Sequence, residues 1–166
     1  NSPSDMNMNF MPDGVSQSTF ISQVQTLQSQ GKKVLLSIGG ANTSISLNNL
    51  TNRDVFVNSM SSLMTTYGFD GIDIDIEHGN SILAAGSITN PTSVDVINLI
   101  AAINQIKTNY YTTFNRNMML TFAPETAYVH GGMSAFGGIW GGYLPLLDAF
   151  RNDLDYVHVQ LYNSGS

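Results

Sequence analysis

The chain has 166 residues, about the length of one domain, and 42% of them are hydrophobic, which is enough for a buried core. The formal net charge of −6 argues against a nucleic acid or an anionic membrane as a partner. The absence of cysteine excludes disulfides and thiolate metal sites, and we recognise neither a signal peptide nor an apolar run long enough to cross a bilayer.

Segments with helical and strand periodicity alternate along the chain. The apolar spacing predicts helices over residues 18–30, 52–67 and 93–109, the last with Ser93 as its cap, and a short helix that opens at Pro145. Strands are predicted over residues 33–39, 69–77, 118–122 and 156–162. This alternation, with nearly continuous apolar strands, predicts the α/β class: a parallel sheet covered by helices.

Polar residues gather where the predicted strands end, and two long loops follow there, over residues 79–92 and 125–143. In a β/α barrel these strand ends form the active face. A complete barrel of eight units usually needs about 250 residues, so four βα units indicate a partial (β/α)8 barrel, a central piece of a larger domain. The alternative is a small open α/β sheet that is complete in itself.

Three carboxylates alternate with isoleucines between residues 70 and 77. An extended strand places Asp73, Asp75 and Glu77 on one face, and a row of buried acids is costly unless they bind one another or do chemistry. Acids this close share protons, so at least one pKa rises. Glu77, nearest the strand end, is the candidate general acid; Asp75 can hold a proton between Asp73 and Glu77, and Asp73 acts through Asp75. Asp70 is out of phase and is interpreted as a structural cap.

The alternative for the three acids is a structural polar network or a cation site. An EF-hand loop that begins at Asp73 needs Gly at its sixth position and Glu at its twelfth, but those positions hold His78 and Ala84. His130 and His158 lack ligand spacing, so we expect no metal and no cofactor. The polar network remains open as an alternative.

Four motifs carry a family resemblance. The pattern Asp70-x-x-Asp73-x-Asp75-x-Glu77 resembles the signature of glycoside hydrolase family 18, the chitinases, and Ser37-Ile-Gly39-Gly40 resembles its second signature. The segments 119–125 and 160–163 resemble the next two barrel strands, in the family's order. The resemblance is strongest to the bacterial type with a short loop that bears a tryptophan, here Trp140, and it covers nearly the whole chain, weakly before Gly31.

The resemblance implies that residues 1–166 are an incomplete catalytic domain whose first and last barrel strands are absent. Those strands are expected to supply a supporting tyrosine and a tryptophan under the distorted sugar, and Trp140 cannot be equated with that tryptophan. The implied substrate is chitin or chitooligosaccharides, and the implied location is extracellular. The implied mechanism is substrate-assisted and retaining, in which the sugar's own 2-acetamido group replaces an enzyme nucleophile.

The resemblance also implies roles for single residues. Glu77 protonates the leaving oxygen, Asp75 accepts a hydrogen bond from the acetamido N–H, and Tyr162 orients the acetamido carbonyl. Ser37 binds Asp73. Substrate contacts are expected from a further set: Ala123, Glu125, Trp140, Gln160 and Asn163.

Several of these assignments have structural alternatives. Trp140, Tyr128 and Phe136 stack on sugar rings or fill a loop core. Glu125 serves the substrate or anchors its loop, and His78 perturbs Glu77 or is simply solvated. Ser37 with the glycines after it could form only a tight strand exit.

Alternative functions remain open at this stage. An endo-β-N-acetylglucosaminidase acting on N-glycans needs the same acids. A chitinase-like lectin usually lacks the acid, and the presence of Glu77 argues against it. A chain of this length could also bind sugar without catalysis.

Overall fold

A computed structural model of the chain describes residues 5–41, 43–77 and 81–162. The helices of this part are α1 Gln17–Ser29, α2 Leu50–Tyr67, α3 Val94–Phe114, α4 Thr126–Val129 and α5 Leu144–Ala149, with a 3-10 turn at His130–Met133. The strands are β1 Leu35–Gly39, β2 Gly71–Asp75, β3 Met119–Phe122 and β4 Tyr156–Val157. The predicted alternation of strands and helices is therefore confirmed.

The four strands of the described residues form one sheet in the order β1-β2-β3-β4. Each strand pairs in parallel with the next strand of the chain. This is the arrangement of successive βα units in a barrel, so the predicted partial barrel of about four parallel units is confirmed. Parallel pairing also brings all four C-terminal strand ends to the same edge of the sheet, which we call the C-terminal edge.

The predicted bounds of two elements are wrong at one end. Helix α3 does not stop near Asn109, because Asn109 binds the Ser61 hydroxyl on α2 and the helix continues to a Tyr110–Phe114 ring pair. Asn115, in the left-handed conformation at φ 51°, ends it, while the cap residue Ser93 makes no side-chain capping hydrogen bond.

Strand β4 spans two residues instead of the predicted seven. The backbone still follows its neighbour, through hydrogen bonds from the N–H of His158 to Phe122 O and from the N–H of Gln160 to Pro124 O. Pro124 has no N–H to return, which explains the gap in the ladder. A single parallel bridge between Glu125 and Gln160 resumes the pairing.

The isoleucine face of β2 lies in the hydrophobic core. Ile72, Ile74 and Ile76 are each no more than 3% exposed and belong to one cluster with apolar residues of the covering helices. Helices α2 and α3 pack against each other and contribute large side chains to this core, among them Phe56, Met60, Met64, Leu99, Ile103 and Ile106. Within the described ranges, no helix combines the length and hydropathy needed to span a membrane.

Asp70 anchors the opposite end of β2, and its carboxylate is only 3% exposed. It accepts hydrogen bonds from the Val34 N–H at 3.0 Å and from Gln28 Nε2 at 3.0 Å. Arg116 donates to it at 2.6 Å, and Lys33 lies 3.6 Å away. Burial alone raises the pKa of Asp70, but the hydrogen bonds from Val34, Arg116 and Gln28 outweigh it and hold that pKa below its usual value.

Candidate active site

The three acids of the alternating run lie at the C-terminal edge of the sheet. Asp73 and Asp75 belong to β2, and Glu77 lies two residues beyond its end. All three are half-buried, whereas the isoleucines between them are buried, so burial alternates along the segment with a period of two. The predicted division between an acidic face and an apolar face therefore extends past the end of the strand.

Asp73 is held between two hydroxyl groups from the neighbouring strands. Ser37 on β1 and Thr121 on β3 are the register partners of Asp73. Ser37 Oγ donates to Asp73 Oδ2 at 2.9 Å, and Thr121 Oγ1 donates to Asp73 Oδ1 at 2.6 Å. Both carboxylate oxygens of Asp73 therefore accept a hydrogen bond. The contact with Ser37 was expected; Thr121 was not recognised, because its place beside Asp73 follows only from the strand register.

Gln160 joins the other two acids. Its Nε2 donates to Asp75 Oδ1 at 2.8 Å, to Glu77 Oε1 at 3.0 Å and to the Ala123 carbonyl oxygen at 2.9 Å. The residue is only 6% exposed. Gln160 was predicted to contact a sugar; in the structure its side-chain nitrogen binds the two carboxyl groups and the carbonyl oxygen of Ala123, another predicted sugar contact. Gln160 therefore bridges Asp75 and Glu77.

The pKa of Asp75 is raised to about 6. Burial is the largest cause; the negative charge of Glu77, a hydrogen bond with Glu77 and the charge of Asp73 also raise it, and the hydrogen bond from Gln160 lowers it. A hydrogen bond between two carboxyl groups requires a proton on one of them. Asp75 is therefore partly protonated at mildly acidic pH and can donate that hydrogen bond to Glu77.

Gly39 and Gly40 bring β1 against the backbone of Asp75. The Gly40 N–H donates to the Asp75 carbonyl oxygen at 2.6 Å. A Cβ at Gly39 would overlap that carbonyl group, and Gly39 has a φ of 117°, which favours glycine. The two glycines thus hold the backbone of Asp75 against the end of β1.

The two loops at the C-terminal edge contact each other. Ala84 of the first and Gly138 of the second form an antiparallel bridge, with N···O distances of 2.7 and 3.0 Å. Trp140 is 48% exposed, and its ring packs against Gly131. Tyr128 is only 2% exposed and fills the loop core, whereas Phe136 is half-buried. Of these three aromatic candidates, Trp140 presents the most surface to a ligand.

Two further candidates, Tyr162 and Glu125, lie at the same edge. Tyr162 follows Gln160 by two residues and is 64% exposed. Glu125 is half-buried beside Gln160, with which it forms the isolated bridge. Two further predictions, Asn163 as a sugar contact and His78 as a neighbour of the acid, fall outside the described residues.

A cavity of about 450 Å³ lies at the other end of the sheet and is lined by charged residues. Lys33 is paired with Asp70 at 3.6 Å, and Lys107 with Asp153 at 2.6 Å. Because its cations are paired with aspartates, this cavity offers no excess charge to a ligand, and we assign the chemistry to the C-terminal edge. The described residues contain no group of three or more His, Asp or Glu side chains arranged to hold a metal ion.

One tyrosine near the acids was not anticipated from the sequence. Tyr143, fully buried before α5, has its hydroxyl at the backbone of Ile76, between Asp75 and Glu77. Its only sequence signal is that it precedes Pro145, which marks a helix start and not a contact to β2.

Comparisons with known proteins agree on one family. The sequence model described as "Glycosyl hydrolases family 18" matches residues 4–166. Chitinase Chi52 of Paenibacillus xylanexedens is 47% identical over 159 residues, which are 95% of this chain and 30% of that protein. Chitinase D of Niallia circulans is 46% identical over 168 residues, which cover 99% of this chain and 31% of the relative. The chain thus spans about a third of the length of these relatives.

A solved structure agrees with the sequence matches. The crystal structure of a family GH18 chitinase from Chromobacterium violaceum superposes with a TM-score of 0.85 at 42% sequence identity. The superposition covers 97% of this chain and 41% of that one.

Proposed function

The chain belongs to glycosyl hydrolases family 18, and from that premise we propose that it carries the acid–base centre of a chitinase, which hydrolyses β-1,4 bonds between N-acetylglucosamine units. One observation carries the proposal: Gln160 Nε2 lies 2.8 Å from Asp75 and 3.0 Å from Glu77, so a single amide holds two carboxyl groups together. Such a pair can hold one proton at the end of a strand, where a sugar can reach it.

Glu77 is the general acid in this proposal. It donates its proton to the glycosidic oxygen as the bond to the anomeric carbon breaks. At the same time the carbonyl oxygen of the 2-acetamido group attacks the anomeric carbon and forms an oxazolinium ion, so that no enzyme nucleophile is needed. Glu77, now a carboxylate, then takes a proton from water as the water oxygen bonds to the anomeric carbon; the bond from that carbon to the acetamido oxygen breaks, the acetamido group is restored, and the configuration is retained overall.

Asp75 and Asp73 tune this chemistry. Asp75 accepts the hydrogen bond of the acetamido N–H and stabilises the positive charge of the oxazolinium ion. The carboxylate of Asp73, bound by Ser37 and Thr121, lies one step deeper, and its negative charge favours a proton on Asp75. The supporting observation is the raised pKa of Asp75, to about 6.

Substrate contacts are proposed for four further residues. Tyr162 orients the acetamido carbonyl, Trp140 stacks on the apolar face of a sugar, and Glu125 and Asn163 bind hydroxyl groups. A polymeric substrate such as chitin fits an enzyme that acts outside the cell, and we propose that location.

The proposal predicts that Glu77→Gln lowers kcat on a chitooligosaccharide by at least about 100-fold, the usual scale for the loss of a general acid. The variant is made in a chain that includes a complete barrel, and product release is followed by chromatography. Glu125→Gln is the matched substitution; for a sugar contact it raises KM more than it lowers kcat. Undiminished turnover in Glu77→Gln contradicts the proposal. If the enzyme releases glycans from a glycoprotein and no chitooligosaccharides from chitin, it is an endo-β-N-acetylglucosaminidase and not a chitinase.

Substrate assistance is tested by the sugar. An oligosaccharide with a free amine in place of the acetamido group at the cleavage site lacks the attacking oxygen, so its turnover is abolished while the acetylated oligosaccharide is cleaved. Efficient cleavage of both rules out the assisted route.

A further inference from the structure

Ile76 occupies a position where the sheet no longer pairs the backbone. The last pairs of β2 are Asp75 with Gly39 on one side and Ile74 with Phe122 on the other. Ile76 lies beyond both and is only 3% exposed. Buried backbone groups require partners, so the N–H and C=O of this residue need a substitute for the missing strand.

The hydroxyl of Tyr143 provides that substitute. The Ile76 N–H donates to Tyr143 Oη at 2.9 Å, and Tyr143 Oη donates to the Ile76 carbonyl oxygen at 3.0 Å. A second acceptor, the Ile74 carbonyl oxygen, lies at 3.5 Å, beyond the normal length of such a bond. One hydroxyl thus replaces a donor and an acceptor of the ladder.

The ring of Tyr143 is held in place by its surroundings. The residue is fully buried, and its ring makes edge contacts with Phe122 at 5.9 Å and Tyr128 at 5.7 Å between centroids. The hydroxyl therefore has a fixed position relative to the sheet, because packed aromatic rings change orientation little.

We propose that Tyr143 is a positioning residue for the reaction: its hydroxyl keeps Ile76 extended, so that Asp75 and Glu77 stay on one face within reach of Gln160. The inference rests on the proposed role of Glu77 as general acid. It assigns the hydroxyl, and not only the ring, a function, because a phenylalanine would fill the same space and leave the Ile76 peptide groups without their partner.

The test compares two tyrosine hydroxyls at opposite ends of the same strand. Tyr143 binds the backbone just after β2, and Tyr110 Oη donates to the Phe69 carbonyl oxygen just before it, at 3.1 Å. Both residues are at most 2% exposed. Tyr143→Phe and Tyr110→Phe each remove a buried hydroxyl-to-backbone hydrogen bond, so both lower stability, by about 1–3 kcal/mol.

The two variants differ in the expected kinetics. Tyr143→Phe lowers kcat on a chitooligosaccharide by about 10- to 100-fold with KM within about twofold, because small misplacement of a reacting group has effects of this size. Tyr110→Phe leaves kcat within about twofold. Both are measured at a temperature at which circular dichroism shows them folded. If Tyr143→Phe is not folded at any temperature, 4-aminophenylalanine is placed at position 143 in one variant and at position 110 in the other. A larger loss of kcat at position 143 than at position 110 supports the positioning role, and equal losses contradict it.

Glu77→Gln in the same assay separates the two proposals. If Glu77→Gln is inactive and the variants at 143 and 110 lose equal fractions of kcat, the positioning role is wrong and the general acid stands. If Tyr143→Phe raises KM and leaves kcat unchanged, the positioning role is also wrong. If Glu77→Gln retains turnover, the general-acid proposal fails, and the inference about Tyr143 fails with it.

Discussion

Two aspartates on one strand segment have pKa values shifted in opposite directions. Asp75, beside Glu77 and Asp73, has a pKa raised to about 6, mainly by burial. Asp70, five positions earlier, is held below its usual pKa by hydrogen bonds that outweigh its burial. The ionised form of Asp70 therefore stabilises the folded state, whereas the ionised form of Asp75 destabilises it.

The shift at Asp75 predicts a pH dependence of stability. Between its ordinary pKa of 3.8 and the folded value of about 6, the folded state binds more protons at Asp75 than the unfolded state. The contribution of Asp75 therefore declines as the pH rises from about 4 to about 7. Asp75→Asn removes this component, so over that range its Tm falls less, or rises more, than the Tm of the unchanged protein.

The control for this pH series is Asp13→Asn, which removes a negative charge from an exposed site before α1. It is expected to keep the slope of the unchanged protein. Thermal unfolding is followed by calorimetry at each pH. An Asp75→Asn variant with an unaltered slope contradicts the assignment of the raised pKa to Asp75.

The part of the site that depends on local spacing could be predicted from the sequence. The shared face of Asp73, Asp75 and Glu77 follows from the period of a strand. The partners of these acids do not follow from it: Gln160 is 85 positions from Asp75, and Tyr143 is 67 positions from Ile76. Such contacts depend on strand register and loop path, which no local pattern specifies.

At the scale of elements, the close approach of β1 and β2 at Gly39 connects the second motif to the acids. Gly39 is the register partner of Asp75, and its α-carbon lies against the Asp75 carbonyl group. The sequence predicts a glycine-containing strand exit there, but not what the exit contacts. The bounds of α3 and β4 were mispredicted for a similar reason, since tertiary contacts at Phe114 and the missing N–H of Pro124 decide them.

Gly39→Ala is predicted to be strongly destabilising. The new Cβ overlaps the Asp75 carbonyl group, and alanine at a φ of 117° is strained in addition. Gly31→Ala is the control, because Gly31 has a φ of 78° with no atom within 4 Å of a Cβ. We expect Gly39→Ala to lower the free energy of unfolding by about 2 kcal/mol more than Gly31→Ala, measured in urea. Equal losses contradict a close contact at Gly39.

At the scale of the whole molecule, the described sheet has two lateral strands, each paired on one side. β4 carries Tyr156 and Val157, which are 58% and 40% exposed. A strand with unpaired backbone groups and exposed apolar side chains is a template for association.

The 166 residues expressed alone are therefore predicted to self-associate through β4. Val157→Lys places a charge on this strand and reduces the association. Val94→Lys, at an exposed valine in the first turn of α3, is the control and is expected to have little effect. Sedimentation velocity over a concentration series measures both. Equal association of the two variants shows that β4 is not the contact.

The position of Asp70 has a consequence for protein engineering. Five residues along a strand separate it from Asp75 by about 16 Å, which is beyond the distance at which substitutions usually couple. Substitutions at the C-terminal edge and substitutions around Asp70 and Arg116 are therefore expected to have additive effects on the free energy of unfolding. Stability lost at one end can then be restored at the other. The two ends can therefore be varied in separate libraries and the selected substitutions combined afterwards.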